Sequence, residues 1–158
     1  MRIGVPKETA EGERRVALVP DVVKSLAAKE KVDVLVEKDA GEAAGHPDSQ
    51  YSEAGAEVVE GEVTWGADVV LRVAAPSAAD IGRLKSGQAL IAHLSPWTAA
   101  ETNKALAQAG VTSFAMEAIP RTTRAQAMDA LSSQAAAAGY AATLIGRASC
   151  RERVLYRV

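Results

Sequence analysis

Short apolar runs alternate with amphipathic segments along most of the chain, and this alternation constrains the fold more than any other feature. Such runs are apolar nearly throughout when helices cover both faces of a parallel sheet. The pattern therefore predicts a Rossmann-like, doubly wound α/β fold with a mainly parallel sheet. The predicted strands are RIGVP, VDVLVEK, DVVLRVA, ALIAHLS and TSFAMEA, and the predicted helices cover residues 20–30, 48–54, 78–84 and 98–109. The last helix is expected to begin with a capping box formed by Thr98 and Glu101.

The composition bounds what the chain can be and what it can bind. With 158 residues, 48% of them hydrophobic, the chain is long enough for one globular domain with a core of its own. A net charge of -2 gives no sign of a nucleic-acid partner. One cysteine, Cys150, excludes an internal disulfide and a multi-cysteine metal site, and we predict no metal ligands. No apolar run has the roughly 18 residues of a membrane span, so we predict no transmembrane segment.

Ligands of doubly wound sheets bind at the carboxyl ends of the strands. The loops at residues 7–15, 74–77, 94–97 and 119–123 are therefore the candidate ligand loops. A dinucleotide site in the first loop would need the sequence G-x-G-x-x-G. That fingerprint is absent, because KETAEGERRVALVP contains one glycine. The charges of this segment are typical of a solvated loop, in which we expect Arg15 to lie nearest the sheet edge.

The segment PRTTRAQAMDALSSQ, residues 120–134, has two interpretations. In the structural one, a helix begins near Thr123 with a capping box to Gln126, and Asp129 pairs with one of the preceding arginines. In the functional one, an arginine, an amide and a carboxylate meet at the start of a helix and bind a planar ligand that carries an amide. A carboxamide needs a hydrogen-bond donor and an acceptor, and this group of side chains supplies both.

The two histidines carry no predicted chemistry. His93 is a lone histidine in an apolar strand, where a satisfied core histidine is more common than a catalytic one. No cysteine or carboxylate stands at a matching spacing from it, and His46 reads as a turn residue. The sequence therefore predicts no catalytic side chain.

Several segments resemble one known family. MRIGVPKE, RRVALVP, GAEVV, LRVAAP and above all AIPRTTRAQAMDALSSQAAAAGY resemble the N-terminal part of the alpha subunit of proton-translocating NAD(P) transhydrogenase. The resemblance runs from Met1 to about Leu144, so residues 1–144 are expected to be a fragment of the alanine dehydrogenase/transhydrogenase N-terminal domain. The resemblance implies that the chain forms the first subdomain of that fold and that this subdomain is incomplete. In members of the family, the glycine fingerprint and a segment that returns to complete the first subdomain come after the residues that resemble this chain.

The resemblance also implies a function and a site. The complete domain would bind NAD(H), a partner domain would bind NADP(H), and hydride transfer between them would be coupled to proton translocation. Arg121, Gln126, Asp129 and Ser132 correspond to residues that contact the nicotinamide and its neighbouring ribose. No catalytic side chain is expected, since the cofactors carry the chemistry. The fragment alone is expected to be inactive.

Partners and alternatives follow from the same resemblance. The expected partners are the membrane and NADP(H)-binding subunits or domains and a second copy of the complete domain, on the cytoplasmic side of the inner membrane. One alternative is a non-enzymatic interaction or regulatory fragment. Another is alanine dehydrogenase, which shares an arginine like Arg15 but needs a lysine and a histidine where this chain has Ala74 and Ser95.

The last residues do not continue the resemblance. Residues 145–158 are predicted to be an unrelated tail, because IGRASCRERV looks like a sequencing adapter translated in one frame. The alternative is a natural basic tail that binds an acidic partner.

Overall fold

The computed structural model describes residues 1–29 and 32–155, without the side chains of residues 29, 133 and 147–155. The chain forms two compact units, residues 1–118 and the residues from 119 onward. None of the helices described in these ranges combines the length and the apolar character needed to cross a membrane.

Among the residues that the structure describes, the first unit is built on a sheet of six strands. The strands are β1 (Arg2–Val5), β2 (Asp33–Glu37), β3 (Glu57–Val59), β4 (Val69–Leu71), β5 (Ala89–Ala92) and β6 (Thr112–Ala115). Their spatial order is β3-β2-β1-β4-β5-β6, and all five pairings are parallel. This order confirms the predicted doubly wound fold and places its topological switch point between β1 and β4.

Six α-helices in the described residues connect and follow the strands. They are α1 (Pro20–Lys29), α2 (Asp48–Glu53), α3 (Gly61–Trp65), α4 (Ala78–Ile81), α5 (Ala100–Gln108) and, in the second unit, α6 (Ala130–Leu155). Helix α6 continues into the predicted tail, whose last residues, 156–158, lie outside the described part. This continuity does not test the tail's origin, because arginine, alanine and glutamate all favour helix.

The sequence pattern missed β3 and α3 and placed some ends wrongly. Both elements are too short, at three and five residues, to give a recognisable period. The predicted capping box at Thr98 is also wrong, since α5 begins at Ala100 and its N-cap makes no side-chain hydrogen bond. The Thr98 hydroxyl donates to the Ser95 carbonyl instead, at 3.4 Å. A capping box occurs at α4, formed by Ser77 and Asp80.

Two apolar clusters lie on opposite faces of the sheet, since alternate residues of a strand point to opposite sides. The cluster against α1 and α2 includes Ile3, Val5, Val23, Val36 and Tyr51. The cluster on the other face, against α4 and α5, includes Trp65, Val70, Leu90, Ala92 and Leu106. The buried Tyr51 hydroxyl donates to the Leu18 carbonyl at 2.9 Å, so its burial leaves no unpaired polar group.

Helix α3 approaches the central strand very closely at Gly4. A Cβ added to Gly4 would lie 2.0 Å from the Thr64 carbonyl oxygen, a distance that no side chain can occupy. Glycine at this position lets α3 lie directly on β1. The helix thereby brings Trp65 to the neighbourhood of the switch point.

Candidate functional site

The second unit contains a polar cleft where the chain enters its long helix. A 3₁₀ helix covers Thr123–Met128, the chain turns at Asp129, and α6 begins at Ala130. The cleft has a volume of about 230 Å³. Its lining residues are Arg121, Thr122, Thr123, Gln126, Asp129 and Ser132. The structure thus brings together all four residues predicted to bind a cofactor, in a region we call the α6 cleft.

A helix begins at Thr123, as predicted, but it is a 3₁₀ helix and not the start of the long α-helix, and the predicted capping box is wrong. The cap residue of the 3₁₀ helix is Thr122, and it makes no side-chain capping hydrogen bond, so Thr123 and Gln126 form no capping box. The α-helix begins seven residues later than predicted, at Ala130. The physical reason is Asp129, which has extended backbone and caps the helix with its own carboxylate.

Asp129 is held by the first turn of α6. Its Oδ1 accepts hydrogen bonds from the backbone N–H of Leu131 at 3.0 Å and of Ser132 at 3.1 Å. The Ser132 hydroxyl donates to Oδ2 at 2.5 Å. These bonds satisfy N–H groups that a helix start leaves free. The Ser132 hydroxyl, helped by the backbone of Ser132 and the charge of Arg121, lowers the pKa of Asp129 below its ordinary value of 3.8.

Arg121 and Gln126 present polar groups that the chain leaves accessible. The Arg121 side chain is 67% exposed, and its Nε lies 3.8 Å from Asp129 Oδ2, which is too long for a hydrogen bond. Gln126 is exposed as well. An amide and a guanidinium beside a fixed carboxylate can bind a planar polar group that both donates and accepts hydrogen bonds.

A second polar cluster, which the sequence did not reveal, lies at the switch point of the first unit. Arg72 Nη2 donates to Glu8 Oε2 at 2.9 Å, and Arg72 Nη1 donates to Asp80 Oδ2 at 2.7 Å. The Arg72 side chain is 2% exposed and its guanidinium carbon lies 5.5 Å from the centre of the Trp65 ring. We call Glu8, Arg72 and Asp80 the switch-point cluster.

The predicted loop residue Arg15 pairs within its own loop. Its Nη2 lies 2.6 Å from Glu13 Oε2, and its side chain is 50% exposed. The hydrogen bond from Arg15 lowers the pKa of Glu13 to about 2. In the same loop, the Lys7 backbone N–H donates to Glu37 Oε2 at 2.7 Å. The loop after β1 is therefore tied to the end of β2 by a carboxylate.

The interpretation of His93 as a core residue is wrong, because its side chain is partly exposed, and a carboxylate lies near it in space although none stands at a matching spacing along the chain. Its side chain is 32% exposed, and its Nδ1 lies 3.5 Å from Glu117 Oε2. Glu117 follows β6, so spacing along the chain could not reveal this neighbour. The other Glu117 oxygen accepts the backbone N–H of Ser95, which has a positive φ of 49°. Within the described ranges, no group of three or more histidine, cysteine or acidic side chains is placed to hold a metal ion.

Comparison with known proteins identifies relatives over most of the chain. Residues 4–138 match the family model described as the alanine dehydrogenase/PNT N-terminal domain. The NAD(P) transhydrogenase subunit alpha of Haemophilus influenzae is 40% identical over 144 residues, which are 91% of this chain and 28% of that protein. An alanine dehydrogenase of Mycobacterium tuberculosis is 35% identical over 148 residues, which are 92% of this chain and 39% of that protein.

A solved structure supports the same relationship. The crystal structure of transhydrogenase from Sinorhizobium meliloti matches with a TM-score of 0.87 and 44% sequence identity, over 91% of this chain and 43% of that one. The chain spans less than half the length of each of these three relatives.

Proposed function

Since the chain belongs to the alanine dehydrogenase/PNT N-terminal domain family, we propose that it is the N-terminal part of the NAD(H)-binding component of a proton-translocating NAD(P) transhydrogenase. In the whole protein, hydride would pass between NAD(H) and NADP(H). The identity of 40% to a transhydrogenase alpha subunit and of 44% to a transhydrogenase of known structure supports this choice. Residues 1–144 would be the family domain, and residues 145–158 an unrelated tail.

The observation that carries the proposal is the α6 cleft. Arg121, Gln126, Asp129 and Ser132 line it together. Its volume of about 230 Å³ lies below the roughly 300–1,000 Å³ of sites that enclose a whole ligand. The cleft therefore suits one end of a dinucleotide, and its amide matches the donor and acceptor of a nicotinamide carboxamide.

Each cleft residue would have a different part in binding. Gln126 would donate to and accept from the carboxamide, and Arg121 would supply donors to the neighbouring ribose. Asp129 and Ser132 already bond to each other, so they would fix the position of the helix start on which the other two depend. NAD(H), when bound, supplies the hydride chemistry, and these residues would orient its ring.

The proposal includes partners. The relative in Haemophilus influenzae is named as a subunit, and this chain would likewise work with partner subunits. One partner would bind NADP(H) and another would lie in the membrane, with the complete domain forming a homodimer on the cytoplasmic side. The 158 residues alone would be inactive, because NADP(H) and the proton pathway would belong to those partners.

Substitutions in the full-length protein test the proposal. We expect Gln126→Ala to lower the rate of hydride transfer from NADH to an NADP⁺ analogue by about tenfold, the effect of one lost hydrogen bond. Arg121→Ala and Asp129→Asn should also lower it. Arg124→Ala is the matched control, because Arg124 is an exposed arginine of the same 3₁₀ helix that does not line the cleft. Unchanged transfer in all three cleft variants would refute the assignment.

An alanine dehydrogenase activity is the second candidate, favoured by the 35% identity to that enzyme. It is weakened by Ala74 and Ser95, which follow β4 and β5 without the lysine and histidine that the activity requires. L-Alanine-dependent reduction of NAD⁺ by the full-length protein distinguishes the two. We expect none, and a rate that saturates with L-alanine would replace the first proposal with the second.

A further inference from the structure

We infer that the switch point of the first unit is a carboxylate-binding site whose ligand is the chain's own Glu8, which fastens the loop after β1 across the crevice. Ligands of open α/β sheets bind in the crevice where the strand order reverses. In this sheet the crevice lies between the ends of β1 and β4. Glu8 comes three residues after β1 and reaches the end of β4.

The site consists of three donors that converge on one carboxylate. The backbone N–H of Val73 donates to Glu8 Oε1 at 2.5 Å, and that of Ala74 donates to Oε2 at 3.4 Å. The Arg72 guanidinium donates to Oε2 at 2.9 Å. Two successive backbone N–H groups and a guanidinium form the arrangement that binds carboxylates and phosphates in proteins.

Burial makes this arrangement a built site. The Glu8 and Arg72 side chains are 4% and 2% exposed, so water does not solvate either charge fully. Arg72 Nε is buried without a hydrogen-bond partner among the described residues. The positive charge of the buried guanidinium is therefore stabilised mainly by the two carboxylates that it contacts, Glu8 and Asp80.

Asp80 is already engaged in the capping box of α4 and is not placed to replace Glu8. Its Oδ2 accepts hydrogen bonds from the Ser77 backbone N–H at 3.0 Å and from the Ser77 hydroxyl at 2.8 Å, within the capping box of α4. The loop is also held on the other side of the crevice, where Lys7 N–H donates to Glu37. Removing the Glu8 carboxylate should therefore leave an empty site that a small free carboxylate can fill.

Chemical rescue of Glu8→Ala tests this inference. We expect the substitution to lower the melting temperature of the 158-residue chain by about 10 °C, because it leaves a buried charge half paired. Sodium acetate should restore part of the loss in a saturable way, whereas sodium chloride at equal ionic strength should not. The control is Glu11→Ala, which removes an exposed carboxylate from the same loop and should respond equally to both salts. Equal responses of Glu8→Ala to acetate and chloride would overturn the inference.

A second variant covers the case in which Glu8→Ala does not fold. Glu8→Gln keeps the shape of the side chain and removes its charge. We expect hydrogen exchange at the Val73 and Ala74 amides to rise at least about tenfold, the equivalent of roughly 1.4 kcal/mol, while the amides of β2 stay protected. Unchanged hydrogen exchange at Val73 and Ala74, or an equal rise in exchange throughout β2, would overturn the inference. Either result would show that the Glu8 carboxylate does not specifically protect these two N–H groups.

Discussion

The switch-point cluster and the α6 cleft use the same chemical groups with opposite results. Each combines an arginine, an acidic side chain and backbone N–H groups at the end of a secondary-structure element. Arg72 is 2% exposed and bonds to two carboxylates, whereas Arg121 is 67% exposed and lies 3.8 Å from Asp129. The comparison shows that burial, more than residue type, distinguishes an arginine that stabilises the fold from one that is accessible to a ligand.

The largest expected effect comes from removing the buried arginine. Arg72→Met leaves Glu8 and Asp80 without their shared cation, and an unpaired buried charge is costly. We expect the free energy of unfolding to fall by about 3–5 kcal/mol in urea denaturation monitored by circular dichroism. A loss below about 1 kcal/mol would remove the contrast with the α6 cleft.

Arg83→Met is the control for this experiment. Arg83 also lies over the Trp65 ring, at 5.8 Å, but its side chain is 45% exposed and its carboxylate partner, Glu62, is 3.7 Å away. The loss should stay below about 1 kcal/mol, as for other surface ion pairs. A similar loss in both variants would assign the effect to the Trp65 contact that they share.

An intermediate effect is expected in acid. Burial raises the pKa of Asp80, but hydrogen bonds from Ser77 and Arg72 outweigh it and lower the pKa below the ordinary 3.8. The folded state then binds this proton more weakly than the unfolded state does. The resulting stabilisation is present above about pH 3.8 and is lost as the pH falls through the lowered pKa. We expect the melting temperature to fall less steeply with pH for Asp80→Asn than for the unsubstituted chain. The measurements should run from about pH 6 to pH 3, roughly the range in which such carboxylates titrate. An equal pH dependence of the melting temperature in the two proteins would contradict the lowered pKa of Asp80 in the folded state.

The smallest effect on stability is expected in the α6 cleft. Arg121→Ala and Gln126→Ala remove exposed side chains, so the free energy of unfolding should change by no more than about 0.5 kcal/mol. The same two variants should weaken hydride transfer in the full-length protein. A large loss of stability in either variant would show that the α6 cleft, like the switch-point cluster, stabilises the fold. It would therefore contradict the contrast between the two regions.

The sequence predicted most of the sheet because most of its strands are local apolar runs. Five of six strands were found, and their alternation with helices gave the parallel, doubly wound fold. Strand β3 was missed because its three residues, Glu57–Val59, are too few to show a period. Thr98 and Glu101 have capping-box spacing without forming one, since the start of α5 is set by the preceding turn, in which the Thr98 and Ala99 N–H groups bond to the Ser95 carbonyl.

The two polar clusters differ in how far the sequence could predict them. The residues of the α6 cleft lie within a dozen positions of one another, so their proximity followed from the segment itself. Their geometry did not, because Asp129 ends one helix and caps the next. The switch-point cluster joins Glu8 to Arg72, 64 positions apart. No local pattern marks such a pair, since only the folded sheet brings the ends of β1 and β4 together.

The position of β1 has a consequence for the order in which the first unit can assemble. Its residues are synthesised before those of the other five strands described, yet it pairs with β2 on one side and with β4 on the other, where Ile3 lies opposite Val69. The second pairing cannot form until more than sixty further residues have left the ribosome, and contacts so distant in sequence slow folding. A nascent chain must therefore keep one edge of its first strand open while the rest of the sheet is still being made.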